Sequence, residues 1–406
     1  MLNFKEAKLR VDEVINPTHL FYSDYFSGVC NNNVYIKPEN LQKTGSFKLR
    51  GAYNKLSKLD DKSKEVGIIT ASAGNHAQGV AYSANKLGID ATICMPEQTP
   101  MIKVDGTLKY GAKVDLYGKS FDECKDHAIA LAEEKGYTFI PPFDDFDVIE
   151  GQGTIGLEIV EELKYVDYVI VPVGGGGLIA GIAKCIKEIS PLIKVIGVEP
   201  YSARSMQESI KSSKIIKLEG VDTIADGTAV AEVGKHTYDI AKDYVDDWIT
   251  VTDEEVLMAF INLMEKHKLV AEPSGALSLA ALQKLNFYNK NVVSVISGGN
   301  IDMSFISQLI NRGLYETGRI TIVNVEVPNI PGKLQELLAN IAYTKANVIS
   351  INHDSLKETS RFKNINVEIT LETNGPEHVK KIWDVLAKKG YIVHWSLKIY
   401  LKKLSM

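Results

Sequence analysis

Cysteine is scarce: Cys30, Cys94, Cys124 and Cys185 are the only four in 406 residues, and no two are spaced as CxxC. That pattern offers neither a disulfide framework nor a spaced zinc motif, so reduced thiols, no metal and a cytoplasmic location are expected. An excess of one charge is lacking too. The 46 Lys+Arg and 51 Asp+Glu give a net charge of −5, which supplies no general attraction to nucleic acid or to anionic membrane, and neither partner is expected. No apolar run reaches the roughly 18–20 residues of a membrane helix; the longest, over 169–183, is broken by four consecutive glycines. Met1-Leu2-Asn3-Phe4-Lys5-Glu6-Ala7 carries charges where an export signal needs apolar residues, so export is not expected. Low-complexity segments and short-period repeats are also missing.

What is present is an ordinary globular composition, 45% hydrophobic and 24% charged, in a chain long enough for two or three domains. Phe4, Ala7, Val11 and Val14 recur at helical spacing, and Asn16-Pro17 should end that helix. Strand and helix patterns then alternate. Strands are predicted over 33–37, 66–70, 91–95, 113–117, 168–173, 195–198 and 292–296. Helices are predicted over 77–87, 100–110, 121–135 and 153–163, the last behind the turn Pro141-Pro142-Phe143-Asp144-Asp145. Such alternation predicts an α/β fold with doubly wound, largely parallel sheets. Near Arg319 the grammar changes to strand 319–327, helix 331–346, strands 348–354 and 364–372, helix 376–389 and strand 391–400. This is βαββαβ, the ferredoxin-like arrangement, and places a domain boundary between Leu314 and Arg319.

Three Gly-rich turns follow predicted strands. Gly174-Gly175-Gly176-Gly177 precedes a helix with Leu178, Ile179, Ile182, Ile186 and Ile189 on one face. Glycines let backbone N–H groups approach an anion and a helix N-terminus adds positive potential, so this is a candidate phosphate site. No Gly-Lys-Ser/Thr follows, which argues against a nucleotide P-loop. Ser72-Ala73-Gly74-Asn75-His76 sits in a similar position, and its Ser72 hydroxyl, Asn75 amide and backbone donors can hold a carboxylate or a phenolic oxygen. Helix capping by Asn75 is an equally available reading, and His76 suits a packed core as well as a catalytic site. Ser297-Gly298-Gly299-Asn300 ends a strand, where the Ser297 hydroxyl can meet a ring nitrogen. All three turns should gather at the carboxyl edges of parallel sheets, where such sheets bind ligands. Thr44-Gly45-Ser46-Phe47-Lys48-Leu49-Arg50-Gly51-Ala52 supplies the reactive group: Lys48 can join a carbonyl as a Schiff base, and pyridoxal phosphate needs a lysine, a phosphate cradle and a partner for its ring nitrogen.

Together, Ser46-Phe47-Lys48-Leu49-Arg50-Gly51-Ala52, Ser72-Ala73-Gly74-Asn75-His76-Ala77-Gln78-Gly79, the four-glycine loop with Leu178, and Ser297-Gly298-Gly299-Asn300 resemble the threonine dehydratase family of fold type II pyridoxal-phosphate enzymes. The resemblance spans about residues 1–315. It implies that Lys48, beside Phe47, carries the cofactor; that Gly174, Gly175, Gly176 and Gly177, with Leu178, hold its phosphate; that Asn75 contacts the ring oxygen; and that Ser297 bonds the pyridine nitrogen. Ser72, Ala73, Gly74, Asn75 and His76 would receive the substrate. A smaller domain over 51–145 is implied, inserted into a catalytic region of residues 1–318. The implied reaction takes L-threonine to 2-oxobutanoate and ammonia, with Lys48 removing the Cα proton, and extends to L-serine because one methyl changes discrimination by only about 1–3 kcal/mol.

Two departures matter. Ala73 stands where similar serine racemases carry a serine, so dehydration is favoured over racemisation. Glu199 matches a metal-ligating carboxylate of relatives, but Ser205 replaces its partner, so no metal is expected there. Residues 319–406, with Val327-Pro328-Asn329-Ile330-Pro331-Gly332-Lys333-Leu334, look like an ACT domain, implying a small-molecule effector site. ADP or a branched amino acid, and threonine catabolism or isoleucine biosynthesis, are left open, and the resemblance implies a homo-oligomer, a tetramer among the options. The alternatives are a racemase or β-replacement enzyme of the same fold, or a non-catalytic amino-acid sensor.

Overall fold

The structure, a computed structural model, describes residues 2–354 and 363–395. The chain divides into two compact units, residues 1–302 and 303–406. The first holds two sheets. A six-stranded sheet runs in the order Phe21–Tyr22, Asn33–Pro38, Asn291–Ile296, Tyr168–Pro172, Lys194–Pro200, Asp247–Val251, and only its first pairing is antiparallel. Val169, Ile170, Val171, Val293 and Val295 are fully buried, as strands covered on both faces must be. The second sheet is parallel throughout, in the order Lys113–Leu116, Ala91–Met95, Ile68–Ala71, Thr138–Phe139. The doubly wound α/β expectation therefore holds.

Two local departures from the predicted elements have clear causes. The helix predicted over 153–163 is Phe146–Glu162, begun by Asp145, whose carboxylate accepts from the N–H groups of Asp147 and Val148. Its glycines let it pack closely on the helix Gly177–Ile189. A Cβ on Gly153 would lie 2.8 Å from Gly181 O and one on Gly156 3.2 Å from Ile182 O. The strand predicted over 66–70 is Ile68–Ala71, because Val66 ends a short helix, Asp61–Val66, capped by Asp60.

In the second unit, an antiparallel sheet has the order Asn347–Asp354, Asn364–Glu372, Ile320–Pro328, Ile392–Trp395. Helices Lys333–Tyr343 and Pro376–Lys388 cover one face, with Leu337, Ile341, Ile382 and Leu386 against Val323, Val325, Val367 and Ile369. This is the predicted βαββαβ path. The first of these helices starts at Lys333, because Gly332 takes a left-handed φ of +89°. Residues 396–400 of the last predicted strand lie outside the described residues. The helix Met303–Glu316 falls within this unit.

Candidate active site

Lys48 opens the helix Lys48–Ser57, and the backbone before it is pinned to the predicted Ser-Gly turn. Phe47 N–H donates to Ser297 O at 3.1 Å, Gly299 N–H donates to Gly45 O at 2.8 Å, and Ser46 bridges to Gly298. Only glycine fits at 298, since a Cβ would come 2.5 Å from Glu272 Oε1 and 3.1 Å from Ser46 Cβ. Asn300 Nδ2 donates to Thr44 O and to Asn75 Oδ1, each at 2.7 Å, which adds the third turn to the cluster.

The Lys48 amine donates to Pro142 O at 2.7 Å and lies 5.3 Å from the Phe47 ring centroid. Burial pushes its pKa down to about 8, and the Glu272 carboxylate opposes that fall. Much more of this lysine is neutral near physiological pH than of an exposed one, and the neutral amine is the form that attacks a carbonyl or accepts a carbon-bound proton.

The carbonyl that receives Lys48 belongs to the turn that also packs the four-glycine loop. The Phe143 ring and backbone fill the space that side chains at Gly175 and Gly177 would need, and a Cβ on Gly174 would lie 2.9 Å from Thr228 Cα. Gly176 has φ +93° and is the N-cap of the helix Gly177–Ile189 without any side-chain capping bond. The amides of that first turn thus keep their capacity for an anion. Leu178 is buried in the core, so only its backbone can serve a ligand. Asp144 completes the link: it accepts from the N–H groups of Lys235, His236 and Thr237 at 2.8–3.2 Å, and Thr237 Oγ1 donates to Gly175 O at 2.7 Å.

At Ser72-Ala73-Gly74-Asn75-His76, the Ser72 hydroxyl accepts from Gly74 N–H at 3.3 Å, and the position a Gly74 Cβ would take is open space. Asn75 has both ends of its amide engaged: Nδ2 donates to Glu272 Oε1 at 2.6 Å, and Oδ1 accepts from Asn300. The His76 ring is engaged away from the turn, which leaves its backbone as the part that can serve a carboxylate. It is buried, its Nε2 donates to Ile140 O at 3.1 Å, and Nδ1 has no hydrogen-bond partner. Burial, together with the positive charge of Lys48, pushes its pKa down to about 3. A neutral ring whose one N–H is already used has no donor left for a carboxylate.

The buried Ser297 hydroxyl has a single distant contact, Ser274 O at 3.5 Å, and so can still pair with a ligand nitrogen. Glu199 is buried and accepts from Met206 N–H (2.9 Å) and Gln207 N–H (2.8 Å), starting the helix Ser205–Lys211. Burial raises its pKa to about 8 despite those bonds. Glu272 escaped sequence reasoning. Followed by Pro273 it reads as a helix start, which it is, yet its side chain turns into the cluster, where burial raises its pKa to about 7 against the pull of Asn75, Lys103 and Lys48. Pro142, Phe143 and Asp144 were legible only as a turn.

A reactive lysine, a capless Gly-rich helix start and a buried serine hydroxyl thus share one site at the strand ends. Residues 11–298 match the family model described as pyridoxal-phosphate dependent enzyme. The chain belongs to this family. It is 45% identical over 392 residues to the L-threonine ammonia-lyase of Thermotoga maritima, covering 96% of this chain and 98% of that protein. Among solved structures it resembles the processed form of threonine deaminase isoform 2 from Solanum lycopersicum (TM-score 0.73, 42% identity, 76% of this chain and 87% of that one). It also resembles maize serine racemase (TM-score 0.73, 34% identity, 77% and 96%). Among the described residues, no helix is long and apolar enough to cross a membrane.

Proposed function

We propose that this pyridoxal-phosphate-dependent enzyme is an L-threonine ammonia-lyase, producing 2-oxobutanoate and ammonia, and that it also converts L-serine to pyruvate. The observation that carries the reading is the Lys48 amine, lowered to a pKa of about 8 and set where three Gly-rich turns meet. The similarity to named ammonia-lyases supports the choice of reaction. The cofactor, when bound, supplies an electron sink for negative charge developing at Cα.

Each residue then has a defined task. Lys48, beside Phe47, would hold the cofactor, and its neutral amine would take the Cα proton. The amides of Gly174, Gly175, Gly176, Gly177 and Leu178 hold the phosphate, which the uncapped helix start fits. Ser297 offers its hydroxyl to the ring nitrogen. Asn75, held by Glu272 and Asn300, would contact the ring oxygen. The Ser72 hydroxyl and the backbone of Ala73, Gly74 and Asn75, at the head of the helix Asn75–Leu87, receive the substrate carboxylate. Ala73 has no proton-transfer group, which favours elimination over racemisation.

We further assign residues 1–318 as the catalytic region, with 51–145 as its smaller part, and residues 319–406 as an ACT domain that controls it. The βαββαβ order supports this assignment, as does a relative that aligns along nearly the whole chain. A homo-oligomer belongs to the same reading.

The test is 2-oxobutanoate formation from L-threonine by the purified protein supplied with pyridoxal phosphate, with ADP or isoleucine in parallel samples. Turnover that vanishes in Lys48→Ala is expected. Bound cofactor without any oxo acid would overturn the lyase reading in favour of β-replacement or sensing.

A further inference from the structure

Outside the site described above, the parallel four-stranded sheet carries a second constellation of reactive side chains. Cys94 and Asp115 are register partners on the adjacent strands Ala91–Met95 and Lys113–Leu116. The helix Phe121–Lys135 crosses this pair and contributes His127. One ligand atom from each of Cys94, Asp115 and His127 lies within 4.8 Å of the other two. The Cys94 thiol is fully buried, whereas the side chains of His127 and Asp115 are 22% and 38% exposed, so the group has a closed floor and an open mouth.

The imidazole is held in place. His127 Nε2 and Asp115 Oδ2 are 2.9 Å apart, and the Tyr117 ring stacks on His127 with centroids 3.8 Å apart and planes within 10°. The Tyr117 stack fixes the plane of the ring, and the His127–Asp115 contact brings together the two groups that a bound ion would bridge. A tetrahedral zinc with bonds of about 2.0–2.3 Å places its ligand atoms roughly 3.3–3.7 Å apart. The ligand atoms now lie within 4.8 Å of one another, so binding draws the side chains closer toward that spacing. Thiolate, imidazole and carboxylate together select a borderline-soft divalent ion over calcium or magnesium.

We propose that Cys94, Asp115 and His127 form a zinc-class metal site in the smaller part of the catalytic unit, with a fourth position open to water. Binding breaks the Cys94 S–H bond, forms the sulfur–metal bond and releases the proton to solvent, and no redox partner is required. The ion would tie two strands to the helix that covers them. Spacing rules in the sequence do not show the site, because the residues come from three separate elements.

The test uses the full-length enzyme with pyridoxal phosphate bound, stripped with a chelator and dialysed against Zn²⁺, with Co²⁺ as the spectroscopic substitute. The expected result is one Zn²⁺ per chain after gel filtration. Co²⁺ should give tetrahedral absorption bands in the red, clear of the cofactor, and affinity should fall at least about tenfold in His127→Gln and in Cys94→Ser. Asp115→Asn and His127→Gln lie at partly exposed positions and keep the test decisive if Cys94→Ser does not fold. Absence of retained metal, or retention unchanged in His127→Gln and Asp115→Asn, would overturn the proposal.

Discussion

Asn75 and Glu272 are joined by a 2.6 Å hydrogen bond across 197 residues of sequence, the amide donating to a carboxylate that burial holds near a pKa of about 7. The bond ties the head of the helix Asn75–Leu87 to the start of the helix Pro273–Ala280. The folded-state pKa lies above the usual 4.5, so the folded protein binds more protons than the unfolded chain between about pH 4.5 and 7, and stability contributed by this group is lost as pH rises through that window. Glu272→Gln removes the titration. Denaturant melts of the apoprotein at about pH 5 and pH 8 should show wild type losing more stability than Glu272→Gln over that interval. Equal losses would mean that Glu272 is ionised throughout.

Lys48 carries the opposite sign. Its pKa falls from 10.5 to about 8, so the cost of burying the ammonium is present below about pH 8 and is relieved as pH rises toward 10.5. Capture of pyridoxal phosphate by the apoprotein, followed by the visible absorbance of the bound cofactor, should accelerate about tenfold per pH unit below pH 8 and level off above it. A rate still climbing at pH 10 would place the amine in an ordinary exposed setting. Lys48→Ala should abolish both covalent capture and turnover.

Asp144 braces the four-glycine loop through backbone contacts. Its carboxylate satisfies three amides at the start of the helix Lys235–Tyr244, and Thr237 in that turn bonds Gly175. Asp144→Ala should cost about 1–2 kcal/mol of stability, the range for a lost N-cap, and weaken cofactor retention in equilibrium dialysis. Asp144→Asn, which keeps an accepting oxygen, should recover most of both. Failure of that rescue would mean that the charge, rather than the cap, is what matters.

The parts of the site that local pattern announces were legible: a lysine in a Ser-Phe-Lys-Leu-Arg-Gly stretch and three Gly-rich turns after strands. The βαββαβ tail was legible for the same reason, since alternating and helical periodicities mark its elements. What stayed hidden depends on side-chain direction. Glu272 precedes a proline and looks like a cap; His76 has the company of a catalytic residue, but its N–H points to Ile140 O. The true start of the helix Phe146–Glu162 depends on packing: Gly151 lies against the helix Lys48–Ser57 and Gly153 against the helix Gly177–Ile189.

Arg50, two residues beyond Lys48, supports the last prediction. It is fully buried and bonds Glu39 through Nε (2.8 Å) and Nη2 (2.9 Å), and Glu158 through Nη1 (2.5 Å) and Nη2 (2.8 Å). Lys37, equally buried, adds a 2.6 Å contact to Glu158 Oε2, so two cations balance two carboxylates in the interior. Burial alone would raise the pKa of Glu158, but Arg50 and Lys37 overcome it and hold the group at about 2. Removing one partner from such a group leaves uncompensated charge, and Arg50→Ala should therefore cost about 3–5 kcal/mol in urea unfolding. The acid limb supplies an independent readout. The depressed pKa contributes stability that is present above about pH 4.5 and lost as pH falls toward 2; without Arg50 that pH-dependent loss should become smaller. Arg50→Lys restores a charge but not the fork that reaches both carboxylates, and should recover only part of the stability. Full recovery by lysine would show that charge alone, without bidentate geometry, holds the helix that presents Lys48.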